Sequence, residues 1–236
     1  MKRNFSYYQE KVLSLLSGKI EDFYLAGGTA LSLYYFHHRE SLDLDFFTKK
    51  FNAIRISNII KELSSGLKKE TELIAEQKTK QKVRIAVYSI QLTKREALKI
   101  DFIEDYVNLI KKLRVVNGIN VLSLEDIYIR KIFAIAGSLQ AEDLTGRKFF
   151  RGGRQEAKDF YDLFCLSSIF IRLSDFSFKY CSPLMREALI RWYRTYNRLD
   201  MKSGLLELKS KKQIDYKEIE LHFKKEIDAI LEREVM

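Results

Sequence analysis

The stretch from Phe23 to Thr48 constrains this chain more than any other. Phe23-Tyr24-Leu25-Ala26 is a short apolar run that stops at Gly27-Gly28, which reads as a strand ending in a tight turn. Thr29-Ala30-Leu31-Ser32-Leu33-Tyr34-Tyr35 then reads as a helix opened by that turn. Leu42 to Thr48 alternates apolar Leu42, Leu44 and Phe46 with Asp43, Asp45 and Phe47, a strand pattern. That alternation puts both carboxylates on one face and Leu44 on the other. Glycines let a backbone approach a phosphate closely, and the unpaired amides at a helix start are donors for it. Two neighbouring carboxylates repel each other. A hard cation such as Mg2+ relieves that cost, and it prefers a carboxylate or two together with substrate phosphates. Alone, Asp-x-Asp would be a solvated pair on an edge strand; beside the Gly-Gly-Thr turn it is a candidate phosphate and metal site.

The surrounding pattern places this site in a mixed α/β or α+β fold. A helix is predicted over 53–67, with Ile56, Ile59, Ile60 and Leu63 on one side and Gly66 near its end. Strands are predicted over 72–76, 83–92 and 97–103. From Ser123 onward the pattern is helical: Ser123 and Asp126 imitate a capping box, Glu156 to Phe170 reads as a second helix, and Ser182-Pro183 opens a third. Asp215 caps a last, strongly charged helix ending near Glu234. The expected division is a small mixed sheet flanked by helices over 1–115 and a helical domain over 116–236, with the turn near Asn117-Gly118 marking the boundary. No internal repeat is visible.

Composition narrows the class. With 46% hydrophobic residues, one proline and ten glycines, the chain can bury a core and has little linker sequence. The formal charge of +10 fits either a lysine-rich surface or an anionic partner such as nucleic acid. Cys165 lies in an apolar run and Cys181 is far from it, so neither a disulfide scaffold nor a zinc site is expected. The N-terminal residues show no signal-peptide core, and no apolar run approaches the roughly 18–20 residues a membrane span needs. A cytoplasmic location is expected.

Three charged residues sit on apolar patterns. Asp101, within Leu98-Lys99-Ile100-Asp101-Phe102-Ile103, is costly to bury unless something neutralises it: a metal, or pairing with Lys99 or a neighbour. Glu104 and Asp105 lie close by in sequence. Lys131 falls in the stripe of Leu124, Ile127, Tyr128 and Ile135, and Asp159 among Leu163, Leu166 and Phe170, with Asp162 three residues along. A buried Lys131–Asp159 bridge between packed helices accounts for both, and such a bridge is weak evidence of stabilisation. Arg147, Arg151 and Arg154 lie in a glycine-containing loop that is either a phosphate-contacting or a solvated basic segment. Adjacent His37 and His38 point different ways, and no spacing supports a Ser-His-Asp or Cys-His nucleophile.

Leu25-Ala26-Gly27-Gly28-Thr29-Ala30-Leu31, followed by His38-Arg39-Glu40-Ser41-Leu42-Asp43-Leu44-Asp45-Phe46-Phe47, resembles the AbiEii/AbiGii toxin family of nucleotidyltransferases, within the DNA polymerase β-like superfamily. The likeness is close over 23–48 and looser to about Leu166; the thirteen residues between Thr29 and Asp43 are a long spacing for the motif. The resemblance implies that Gly27, Gly28 and Thr29 cradle a triphosphate and that Asp43 and Asp45 hold two Mg2+ ions, with Mn2+ as a substitute. Asp101 is the candidate third carboxylate. Lys131 matches the family's helix lysine and is implied to touch the nucleotide phosphates. Lys158-Asp159-Phe160-Tyr161-Asp162 matches its Arg-Asp-x-x-Asp segment with lysine for arginine, implying that Asp159 and Asp162 serve nucleotide binding. His38-Arg39 matches the family's His-Arg, and Arg39 is read as a phosphate contact or a structural partner of the aspartates.

The implied activity is transfer of an NMP from an NTP to an acceptor, the helical domain completing the nucleotide site. The implied role is that of a toxin opposed by a separately encoded antitoxin. The charge of +10 makes RNA, such as the tRNA 3′ end, the first acceptor expected. A protein side chain is the competing acceptor. The rival from another class is an inactive module that keeps the fold and binds RNA or protein.

Overall fold

The computed structural model describes residues 5–77, 83–93 and 96–235. Two units emerge, and the chain does not divide between them at a single point: one comprises 1–33 and 41–123, the other 34–40 and 124–236. The main boundary lies after Ser123 rather than at 115/116. The reason is a short hairpin, β6 (Arg114–Val116) and β7 (Ile119–Val121), whose second strand pairs in parallel with β1 (Tyr24–Leu25) and so belongs to the first unit.

The first unit is a mixed sheet with helices. Helix α1 (Phe5–Leu16) precedes β1, and α2 (Gly27–Ala30) continues into a π-helical turn, Leu31–Tyr35. Then come β2 (Asp43–Thr48), α3 (Ala53–Leu67), β3 (Thr71–Gln77), β4 (Ile85–Gln91) and β5 (Ala97–Glu104). Among the described residues the sheet order is β3-β4-β5-β2-β1-β7-β6. β2 runs antiparallel to β1 and parallel to β5. That parallel pairing opposes Leu44 to Ile100 and Phe46 to Phe102, all fully buried, with the Phe46 and Phe102 rings stacked at 5.7 Å. Each such aromatic stabilises the unit by roughly 1.5–3 kcal/mol through burial alone. The same register sets Asp43 beside Lys99 and Asp45 beside Asp101 on the opposite face.

Helix α3 forms where the spacing predicts. Asn52 accepts a hydrogen bond from Arg55 N at 3.1 Å and caps the start. Ile56, Ile59, Ile60, Leu63 and Leu67 are buried along one stripe, and Lys68 ends the helix in a left-handed conformation.

The second unit is helical apart from one hairpin. It contains α4 (Leu124–Ala136), α5 (Ala157–Cys165) extended by a π-helical turn Leu166–Phe170, α6 (Leu173–Tyr180), α7 (Pro183–Thr195), α8 (Arg198–Glu207) and α9 (Tyr216–Val235). Ser182 caps α7 ahead of Pro183, and Asp215 accepts from Lys217 N at 2.8 Å at the start of α9. The basic segment between α4 and α5 is not a plain loop: β8 (Leu139–Glu142) pairs with β9 (Lys148–Arg151). Phe160, Trp192, Tyr196 and Phe223 cluster at the centre, all buried.

Residues 34–40 join this unit through specific bonds. Glu40 N donates to Lys209 O at 2.7 Å, Ser210 Oγ donates to His38 O at 2.8 Å, and Arg39 and Ser210 form a β-bridge.

Candidate active site

In the first unit the turn and the Asp-x-Asp strand are built against each other. Ala26 N donates to Asp45 O at 2.9 Å as β1 ends. Gly27 follows with φ +67°, and a Cβ there would lie 2.5 Å from Asp45 Oδ2. Only glycine meets both demands, the positive φ and the space taken by the carboxylate. Thr29 is fully buried, and its hydroxyl contacts Ser41 Oγ at 2.7 Å and donates a short bond to Asp43 O. Thr29 thus ties the turn to the start of β2. Gln9 Nε2 adds a bond to Ser41 O at 2.7 Å.

Asp43, Asp45, Lys99 and Asp101 form a two-by-two block on one sheet face. Asp101 is buried, and Lys99 Nζ lies 2.6 Å from its Oδ2, the pairing the sequence left open. Burial pulls the Lys99 pKa down, but the bond to Asp101 and the fields of Asp101, Asp43 and Asp45 outweigh it and raise the value. Among the described residues no three of His, Cys, Asp or Glu stand close enough together to hold a metal ion. The donor type is that of a hard divalent cation: Asp43, Asp45 and Asp101 are carboxylates on one face, and their field already attracts an ammonium.

The second unit gathers the other sequence-derived candidates. Asp162 and Asp159 on α5 are fully buried, and Lys131 on α4 places its Nζ 2.6 Å from both Asp159 Oδ1 and Asp162 Oδ2. Arg39 grips Asp162 with both arms of its fork, Nε at 2.7 Å and Nη2 at 2.8 Å, and His38 Nε2 meets the same carboxylate at 2.7 Å. Arg154 Nε reaches Asp159 at 2.5 Å. Burial acts to raise the Asp162 pKa, yet the charges of Lys131 and Arg39 hold it well below the usual carboxylate range. Asp159 is likewise lowered: burial is opposed by Lys131 and Arg154. Lys131 is raised against its own burial by Asp162 and Asp159. The bridge expected between α4 and α5 is therefore one strand of a larger buried network.

The structure brings Gly27, Thr29, Asp43, Asp45 and Asp101 together in one unit and Arg39, Lys131, Asp159 and Asp162 together in the other. Gly28 is buried within α2. Arg147 pairs with Glu187 at 2.7 Å, and Arg151 is exposed. Sequence reasoning named Lys99 only as an alternative partner of Asp101 and not as a member of the carboxylate face. Its signal was its place two positions before Asp101, hence on the same strand face.

A family model for the nucleotidyl transferase AbiEii toxin of type IV toxin–antitoxin systems matches residues 12–235. The chain belongs to that family. An uncharacterised protein of Aquifex aeolicus is 55% identical over 58 residues, a match that takes in 23% of this AbiEii-family chain and 27% of that relative. The chain thus spans about a quarter of that curated relative's length. Among solved structures, JHP933 of Helicobacter pylori superimposes with a TM-score of 0.57 at 18% identity, covering 98% of this chain and 94% of that one. MenT4, a nucleotidyltransferase toxin of Mycobacterium tuberculosis, superimposes with a TM-score of 0.51 at 14% identity, covering 96% and 82%. These likenesses show a shared fold.

Proposed function

We propose that this AbiEii-family chain is a toxin nucleotidyltransferase that moves an NMP from an NTP to RNA, the tRNA 3′ end being the first acceptor to test. The observation that carries the reading is the carboxylate face of Asp43, Asp45 and Asp101, with Asp45 packed against the Gly27 turn. Asp43, Asp45 and Asp101 would hold Mg2+, or Mn2+ in its place, which when bound neutralises phosphate charge and makes the acceptor hydroxyl a better nucleophile. Gly27 and Gly28 supply a backbone that a phosphate can approach, and Thr29 holds that backbone against β2. Asp159 and Asp162 keep Lys131 charged and fixed in direction, so that its ammonium can meet the nucleotide phosphates; Arg39 and His38 fix Asp162 in turn. In such a transfer most of the rate comes from positioning and charge stabilisation. The charge of +10 supports an RNA acceptor, and family membership supports a cognate antitoxin as partner.

One observation favours a second reading. The Lys99 contact on Asp101 is also what an inactive module of the same fold would show once its site had become a plain ion pair.

The test is incubation of the purified chain with each labelled NTP and Mg2+ or Mn2+, with total cellular RNA and protein lysate as acceptors. Label in tRNA-sized RNA that disappears with Asp45→Asn supports the proposal. Label in protein instead changes the acceptor class. Label in neither pool, with RNA binding that ignores nucleotide and metal, favours the inactive module.

A further inference from the structure

Lys99 has no part in the resemblance or in the phosphate turn, yet it sits inside the carboxylate block. Register places it beside Asp43, and alternation along β5 puts it on the face of Asp101. Its ammonium is 2.6 Å from Asp101 Oδ2, while its side chain stays 41% exposed and that of Asp101 only 12%. The carboxylate is nearly enclosed, whereas the lysine stem borders open solvent into which the ammonium can swing.

We propose that Lys99 is a positioning residue, an internal cation that competes with a divalent ion for Asp101 and thereby sets the metal affinity of the site. The inference rests on the metal-dependent reading above. A divalent ion held by Asp45 and Asp101 is repelled by an ammonium on the same face and must displace it from Asp101 to gain that oxygen. Lysine suits this role because it is a compact, strongly hydrated point charge on a flexible stem. An arginine would hold the carboxylate through a planar two-pronged fork and yield it less readily. A neutral glutamine, one atom shorter, keeps a polar end and removes the competing charge. Affinity for the ion should therefore fall in the order Gln, Lys, Arg at position 99, an order that a merely structural role would not produce.

The experiment is Mn2+ binding to the full chain without nucleotide, followed by calorimetry and by the spin resonance of free Mn2+. Lys99→Gln should bind about tenfold more tightly than wild type, equivalent to about 1.4 kcal/mol. Its melting temperature should also rise further on Mn2+ addition. Lys99→Arg should bind several-fold more weakly than wild type. Equal or weaker affinity in a folded Lys99→Gln, or no Mn2+ binding by either protein, overturns the proposal. If Lys99→Gln does not fold, Lys99→Arg decides, and equal or tighter binding there overturns it. Asp45→Asn separates the two ideas. Loss of Mn2+ in Asp45→Asn with unchanged affinity in Lys99→Gln defeats only the Lys99 inference. Unchanged affinity in Asp45→Asn defeats the metal-dependent reading itself.

Discussion

Gly27 and Asp45 are packed so closely that a methyl group on the first would lie 2.5 Å from a carboxylate oxygen of the second. The turn and the Asp-x-Asp strand are therefore one structural object, and Gly27 can be tested against a matched control. Gly18 has the same φ of +67° but nothing within 4 Å of its would-be Cβ. Gly18→Ala should cost only the left-handed backbone penalty, about 1 kcal/mol. Gly27→Ala adds an overpacking cost and should lose about 3 kcal/mol in all. Urea unfolding of the two variants measures the difference; equal losses would show that Asp45 gives way freely. Nucleotide transfer should drop with Gly27→Ala alone.

Lys131→Met removes the cation shared by Asp159 and Asp162, both fully buried. Breaking a buried pair from one side leaves uncompensated charge, and about 3 kcal/mol of stability should be lost. Lys224→Met removes an exposed i,i+4 partner of Asp228 and should leave the denaturant midpoint nearly unchanged. Denaturant midpoints compare them directly, and similar shifts would mean that Arg39 and Arg154 suffice without Lys131.

How far the sequence reveals such features depends on their range. Helix α3 is legible to the residue because its cap, stripe and stop are all local. So are the Gly27 turn and the Asp43–Asp45 alternation. The grip of Arg39 on Asp162 joins positions 123 apart, and no periodicity encodes which distant carboxylate a charge will find. Helix α1 is written as Tyr8, Val12 and Leu16 at four-residue spacing, but the polar residues around them mask it. Helix α8 buries only Met201 and Leu205, too little to form a readable stripe. The β8–β9 hairpin has strands of four residues in a glycine-bearing stretch, where loop and ribbon have nearly the same composition.

The charge network also fixes a response to pH. Asp162 and Asp159 titrate below their unfolded value of about 3.9, so their stabilisation is complete above that pH and is lost as pH falls through the folded values. Glu104 joins them, held at about 2 chiefly by its hydrogen bond from Arg84. Lys131 is raised, so its contribution is complete below about pH 10.4 and fades only as pH climbs through its folded value. Melting temperature should hold level near neutrality and fall steeply below about pH 4. Asp162→Asn should flatten that acid limb; an unchanged limb would place the acid-sensitive groups elsewhere.

Burial pushes the thiols of Cys165 and Cys181 up to about 12, with the Asp162 charge adding to the rise at Cys165. At pH 8 the native thiolate fraction should be about a thousandfold below that of a free cysteine. A disulfide reagent should leave both untouched in the native chain and modify both after guanidinium unfolding. Rapid labelling of either in the native state would contradict their burial.

Residues 34–40 belong to the unit whose other members begin only at 124. Cutting the gene after Ser123 would therefore not yield two self-sufficient halves. The N-terminal fragment would keep His38 and Arg39 without Asp162, and the C-terminal fragment would keep a buried carboxylate stripped of three of its donors. During synthesis His38 and Arg39 cannot meet Asp162 until α5 has been made. The segment between the Gly-Gly-Thr turn and the Asp-x-Asp strand is thus completed by the far half of the chain, and a nascent or truncated chain carries its Asp-x-Asp strand beside an unfinished loop.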